Sequence, residues 1–273
     1  MQFATRNLDL SRPQVMGILN VTPDSFSDGG QHTSLDQVIA HARKMVEQGA
    51  SFIDVGGEST RPGAKAVNET EELDRVIPVI ERLNREIDCV ISIDTSKAVV
   101  IEEATKAGAA LVNDVRALRE PGALDAAVAA GVPVCLMHMQ GQPRSMQQNP
   151  QYDDVVEEVG AFLCTQAQVC IDAGIRKENI IFDPGYGFGK SLEHNYALLK
   201  YLPRLLELGF PLLVGMSRKS MIGNLLNRNV DERLAGSVAV ATIAAQMGAQ
   251  ILRVHDVQET SDAVKIVNML NQI

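Results

Sequence analysis

Eight short apolar runs, each closing on a polar or charged cluster, recur along the whole chain and leave few folds open to it. They fall at residues 16–20, 52–54, 90–94, 111–114, 134–138, 180–183, 212–217 and 251–255. Amphipathic segments separate them, at residues 34–48, 69–87, 97–107, 121–130, 153–173, 193–208, 231–247 and 258–271. Strands alternating with helices read as βαβ units of a parallel sheet, and eight such units close into a (β/α)8 TIM barrel. The 273 residues are near the roughly 250 typical of that fold, so a single α/β domain is expected. Residues 15–273 supply the barrel. Residues 1–14 do not fit the rhythm and are expected to form an extension, a small hairpin closing the barrel's bottom.

The helical segments carry ordinary start and stop signals. In the first, Leu35, Val38, Ile39, Ala42, Met45 and Val46 share a face, Ser34 with Gln37 resembles a capping box, and Gly49 supplies a stop. Pro78 is expected to kink or split the second.

In such a barrel the chemistry sits where the strands end, and there the polar residues are concentrated. Asp94, Asn113 and Asp183 close three different runs. Together they form a floor able to hold a flat heterocycle, because a carboxylate accepts two parallel bonds from a guanidine-like edge and an amide both donates and accepts. Lys219, Arg253 and His255 form a cationic wall suited to a diphosphate, with Thr60 and Asn20 as neutral hydrogen-bonding partners. One aspartate after one strand is equally a helix cap. Residues two apart on a strand face the same side, so Arg253 and His255 can enter one mouth, as can Ser217 and Lys219. Of Met137 and His138 only one can, and Met137 is assigned to the pocket, His138 to the core. Asn20 offers an oxygen to Mg2+, which would arrive with the diphosphate, or is a turn residue at a strand end.

The net charge of −9 argues against nucleic-acid and membrane-surface partners, which need a basic face. It leaves room for an anionic substrate, provided cations gather locally, as Arg218, Lys219, Arg253 and His255 do. The cysteines Cys89, Cys135, Cys164 and Cys170 lack metal or redox spacing and read as thiols of a reducing compartment. With no signal-peptide pattern and no membrane-length run, a cytoplasmic protein is expected.

Several segments together resemble a known family. They include Asn20-Val21-Thr22-Pro23-Asp24-Ser25-Phe26 within residues 17–30, Gly57-Glu58-Ser59-Thr60-Arg61-Pro62-Gly63 within 54–63, residues 92–95 and 113–115, Asp183-Pro184-Gly185-Tyr186-Gly187-Phe188-Gly189-Lys190, Ser217-Arg218-Lys219 within 215–220, and Arg253-Val254-His255-Asp256-Val257. The set resembles the bacterial-type dihydropteroate synthases of the pterin-binding family, from about residue 15 to the end. The resemblance implies condensation of 6-hydroxymethyl-7,8-dihydropterin diphosphate with 4-aminobenzoate. It implies that Thr60, Asp94, Asn113, Met137, Asp183, Phe188, Lys219, Arg253 and His255 bind the pterin and its diphosphate, with Asp94, Lys219 and Arg253 catalytic. It also implies an aminobenzoate subsite of Phe26, Arg61, Pro62 and Ser217, a magnesium ion at Asn20, competition by sulfonamides, and a homodimer. Leu234, Val238, Val240, Ile243 and Met247 are the apolar residues available for the homodimer. Tyr186 departs from the pattern, standing where relatives often carry phenylalanine. A pterin-binding methyltransferase module and a silent pterin-binding paralogue are the rival readings. Neither needs the Ser-Thr-Arg-Pro loop.

Overall fold

The computed structural model describes residues 1–21, 31–58, 67–141 and 150–272. Two short strands, β1 (Gln2–Phe3) and β2 (Arg6–Asn7), pair antiparallel as a hairpin. The apolar runs then form eight parallel strands: β3 (Gln14–Asn20), β4 (Phe52–Gly56), β5 (Val90–Asp94), β6 (Leu111–Asp114), β7 (Val134–Met137), β8 (Ile180–Asp183), β9 (Leu213–Val214) and β10 (Ile251–Val254). Their order is β8-β7-β6-β5-β4-β3-β10-β9. The two ends meet through a parallel bridge between Phe182 and Leu212 and a 2.8 Å bond from the Phe182 amide to the Pro211 carbonyl. The expected barrel is therefore the observed one.

Inside, Met16, Phe52, Val90, Leu111, Cys135, Ile181, Leu213 and Ile251 form one closed apolar cluster with Phe3 of the hairpin. Phe3 meets Phe52 edge to face at 5.0 Å. This plug fixes the parity of every strand. Two residues further along come Ile18, Asp54, Ser92, Asn113, Met137, Asp183, Gly215 and Arg253, which must face the same lumen one layer higher. Alternate residues face outward into the larger core against the helices, which is why these strands read as continuous apolar runs.

The helices are α1 (Gln31–Glu47), α2 (Glu69–Glu86), α3 (Ala98–Ala107), α4 (Ala123–Ala130), α5 (Val155–Asp172), α6 (Leu192–Lys200), α7 (Leu202–Leu206), α8 (Ser220–Leu226), α9 (Leu234–Gln246) and α10 (Val257–Leu270). Three bear on the sequence reading. Helix α1 begins at Gln31, so Ser34 lies inside it and is not its cap. Pro78 does not split α2, which runs unbroken around it. Pro78 and Asp74 are both exposed, so water can take the carbonyl that proline leaves unbonded, while Val76, Val79, Ile80 and Leu83 anchor the opposite face. The segment 193–208 breaks at Tyr201 into two helices, the second opening with Pro203. Among the described residues no helix is long and apolar enough to cross a membrane.

Candidate active site

Pairing places Asn20, Gly56, Asp94 and Asn113 in one row across β3 to β6, while Met137 pairs with Asp183 on β7 and β8. Arg253 rises from β10 into the centre of this ring. Its Nε donates to Asp54 Oδ2 at 2.6 Å and its Nη2 to Asp94 Oδ2 at 2.7 Å. The Asn113 amide also donates to Asp54 Oδ2, at 3.2 Å. Asp54 is fully buried, and Asp94, Asn113 and Asp183 nearly so. Burial pushes the Asp94 carboxyl well above the usual carboxylate range, opposed by the Arg253 charge. It raises Asp183 as well, opposed by Lys219.

On the facing wall Lys219 donates from Nζ to the Tyr186 carbonyl at 2.6 Å and lies 4.6 Å from the centre of the Phe188 ring. Burial pushes Lys219 down to about 8 against the pull of Asp183. The reason Lys219 faces inward is local. Strand β9 ends at Val214, so strand parity does not reach it. Instead Arg218 adopts a left-handed conformation, φ 56°, held by bonds from its amide to Ser237 Oγ and from Arg233 to its carbonyl, both 2.9 Å. Its guanidinium grips Asp256 at 2.5 and 3.0 Å. Arg218 is thereby withdrawn from the cation cluster to which the sequence reading assigned it. Ser217 Oγ accepts from the His255 amide and contacts His255 Nδ1, each at 3.1 Å, joining the ends of the last two strands.

Val115, Met137 and Met139 form a small apolar cluster against which Phe188 packs. His138 is buried with its ring edge-on to Phe162 at 5.0 Å. Tyr186 is fully buried, and its hydroxyl has no hydrogen-bond partner among the described residues. Tyr186→Phe removes that hydroxyl at nearly constant shape. It is expected to stabilise the protein by about 1 kcal/mol and raise the melting temperature by about 2–4 °C. A calorimetric scan showing a fall would mean that the hydroxyl is satisfied.

Where the chain leaves β4, Glu58 and the buried Glu72 both pair with Lys97, and Arg75 donates to the Gly57 carbonyl at 2.6 Å. Thr60, Arg61, Pro62 and Phe26 lie outside the described residues.

A model of the pterin binding enzyme family matches residues 16–255. The chain is also 58% identical to the dihydropteroate synthase of Haemophilus influenzae, over 95% of this chain and 94% of that protein. The chain belongs to the dihydropteroate synthases, within the pterin-binding enzymes. Two solved dihydropteroate synthases have the same fold. That of Yersinia pestis, in a sulfonamide drug complex, aligns with a TM-score of 0.95 at 57% identity, covering 100% of this chain and 99% of that one. That of Xanthomonas albilineans, with 4-aminobenzoic acid, aligns at 0.93 and 52%, covering 99% and 97%.

For a dihydropteroate synthase, the lumen holds two further polar groups to which the sequence reading gave no role. Asp54 Oδ1 and Ser92 Oγ are buried without hydrogen-bond partners among the described residues, on residues paired across β4 and β5. Both sit beneath the row of strand ends and leave acceptor capacity directed into the barrel. The donor set at Asn20 also has a definite character. A Cβ placed on Gly56 would lie 3.7 Å from Asn20 Oδ1 and 3.9 Å from Asp94 Oδ2, so the glycine leaves a cradle between two oxygens. Among the described residues no group of three or more His, Cys, Asp or Glu could hold a metal ion. Asp94 Oδ2 already accepts from Arg253, so the fit rests on Asn20 Oδ1, a hard oxygen of the kind that suits a magnesium ion bringing its remaining ligands as substrate phosphate and water.

Proposed function

We infer that the chain condenses 6-hydroxymethyl-7,8-dihydropterin diphosphate with 4-aminobenzoate, forming 7,8-dihydropteroate and diphosphate. One observation carries the assignment of roles: Arg253 binds Asp54 and Asp94 at once, with Lys219 on the wall beside them. A single mouth thus presents carboxylates to a flat ring and cations to its anionic tail. Asp94, Asn113 and Asp183 hold the pterin edge, Met137 and Phe188 pack on its ring, and Arg253 and His255, with Thr60, hold the diphosphate. Ser217 belongs to the aminobenzoate subsite with Phe26, Arg61 and Pro62.

The carbon–oxygen bond to diphosphate breaks with its electron pair leaving on the phosphate, and the pterin carries the resulting positive charge. Arg253 and Lys219 neutralise the departing charge, and Asp94 stabilises the ring cation. The aromatic amine then attacks that carbon and releases a proton, so no covalent enzyme intermediate forms. Asn20 would hold a magnesium ion arriving with the diphosphate, which would supply further positive charge to the leaving group. Sulfonamides compete with 4-aminobenzoate, a reading supported by the Yersinia pestis sulfonamide complex.

Diphosphate release, measured with the pterin substrate and magnesium, tests the assignment. Release should require 4-aminobenzoate or trap it in product. A methyltransferase module or a silent binder releases none. The same assay has a predicted pH profile. kcat/KM for the pterin substrate should fall as pH rises through about 8, where Lys219 loses its proton, and Lys219→Arg should shift that limb to higher pH. Stability moves the other way. The unfolded chain keeps this proton up to the ordinary 10.5, so between these values the unfolded state binds more protons and folding gains with pH. An alkaline limb left in place by Lys219→Arg would assign it to another group.

A homodimer completes the reading. Leu225 and Leu226 on α8, Leu234 and Ile243 on α9, and Ile266, Met269 and Leu270 on α10 are exposed apolar residues that support it. Val240, grouped with them from the sequence, is buried and packs inward. Sedimentation at the 29.6 kDa of one chain would remove the dimer.

A further inference from the structure

Lys190 is buried and has no part in the mechanism above. Its Nζ lies 2.9 Å from the Gly185 carbonyl, 3.0 Å from that of Phe188, 3.3 Å from that of His138 and 3.0 Å from His138 Nδ1. An ammonium has three hydrogens, so four acceptors compete for them. Burial pulls Lys190 down to about 7, so its ammonium form prevails at pH 6, where binding is tested. Two of these acceptors belong to the loop between β8 and α6, and two to the residue that follows β7. The side chain therefore ties the loop to the neighbouring strand end. Burial and the adjacent lysine charge hold the His138 ring far below its ordinary range, at about 3, so the ring is neutral and its Nδ1 can accept.

The loop is shaped for this contact. Gly185, Gly187 and Gly189 all have positive φ, and a Cβ on Gly185 would fall 1.9 Å from the His138 carbonyl oxygen. Asn195 takes the Gly187 amide and Tyr152 reaches the Gly189 carbonyl, at 2.7 and 2.8 Å. On its other side the loop presents the Phe188 ring and the Tyr186 carbonyl that holds Lys219. Lys190 thus stands behind the loop, and the candidate pterin pocket in front.

We propose that Lys190 is a positioning residue for pterin recognition: gripped by His138, it gathers the Gly185 and Phe188 carbonyls and so sets Phe188 and Lys219 against the ring. This rests on the reading of the mouth as a pterin pocket. The test is calorimetric binding of 6-hydroxymethylpterin at pH 6 to the full chain, to Lys190→Met and to Lys190→Ala, with each melting temperature recorded. Lys190→Met fills the space without the charge, and it should weaken binding about 10- to 100-fold, the range for losing hydrogen bonds to a charged group. Propylammonium matches the atoms removed in Lys190→Ala and should restore affinity, whereas propanol should not. Unchanged affinity in folded Lys190→Met, or equal rescue by propanol, overturns the inference and leaves a packing role. A wild-type chain that fails to bind the pterin overturns the reading of the pocket, and this inference with it. If neither lysine variant folds, Tyr152→Phe provides the second probe: it removes the bond to the Gly189 carbonyl and should weaken pterin binding in the same direction, unchanged affinity counting against a positioned loop.

Discussion

Asp94→Asn is expected to abolish turnover. The substitution keeps the side chain's shape and its place beside Asn113 but removes the charge that faces both Arg253 and the pterin cation. Loss of one preorganised electrostatic contact to a transition state typically costs about 100- to 1000-fold in kcat. Here the loss should be at the upper end, because the buried carboxylate acts in a lumen shielded from water. The ground state already uses Asp94 to bind the pterin, so KM should rise as well, but by less than kcat falls. Diphosphate release at saturating substrates, with folding checked by circular dichroism, provides the measurement. Turnover near that of the wild type would remove Asp94 from the chemistry.

Arg253→Met is expected to have the largest effect on stability as well as ending turnover. Arg253 is the cation that bridges Asp54 and Asp94. Without it two carboxylates remain buried in adjacent layers with no bridging cation, and breaking a buried pair in this way costs about 3–5 kcal/mol. The sign with pH is specific. Asp94 already has a raised folded-state pKa, and removing its guanidinium partner raises it further. A carboxyl whose folded pKa lies above its unfolded value contributes stability at low pH and loses it as pH rises through the folded value. The variant should therefore recover part of its stability when urea unfolding is repeated in mild acid. Adding Asp54→Asn should recover part of it at neutral pH. Equal destabilisation at both pH values would mean that Arg253 contributes packing rather than charge.

The barrel is legible in the sequence because parallel strands buried on both faces leave uninterrupted apolar runs, and because each run closes on polar residues. The site is legible to the extent that its residues stand at those closures, as Asp94, Asn113 and Asp183 do. Asp54 also closes its apolar run, but the sequence does not give its depth: β4 continues to Gly56 and leaves Asp54 a layer below the mouth. Ser92 escapes because a small polar residue inside an apolar run carries no mark. The turn at Arg218 is illegible because no glycine announces its left-handed backbone; Ser237, Arg233 and Asp256, all distant in sequence, impose it. Lys190 meets His138 across 52 residues of chain, a contact that local periodicity does not encode. Pro78 does not split its helix, because an exposed proline costs one hydrogen bond that water replaces, less than the packing of the helix returns.

If one strand-end mouth holds the ring and its diphosphate together, a crystal structure of this chain with a pterin and diphosphate bound will show both ligands there. The ring's edge should lie on Asp94, Asn113 and Asp183, its face against Phe188, and the diphosphate on Arg253 and His255 near Asn20. A pterin seated outside the mouth, with Arg253 still closed on Asp54 and Asp94 and no ligand contact at Asp183, would contradict this arrangement.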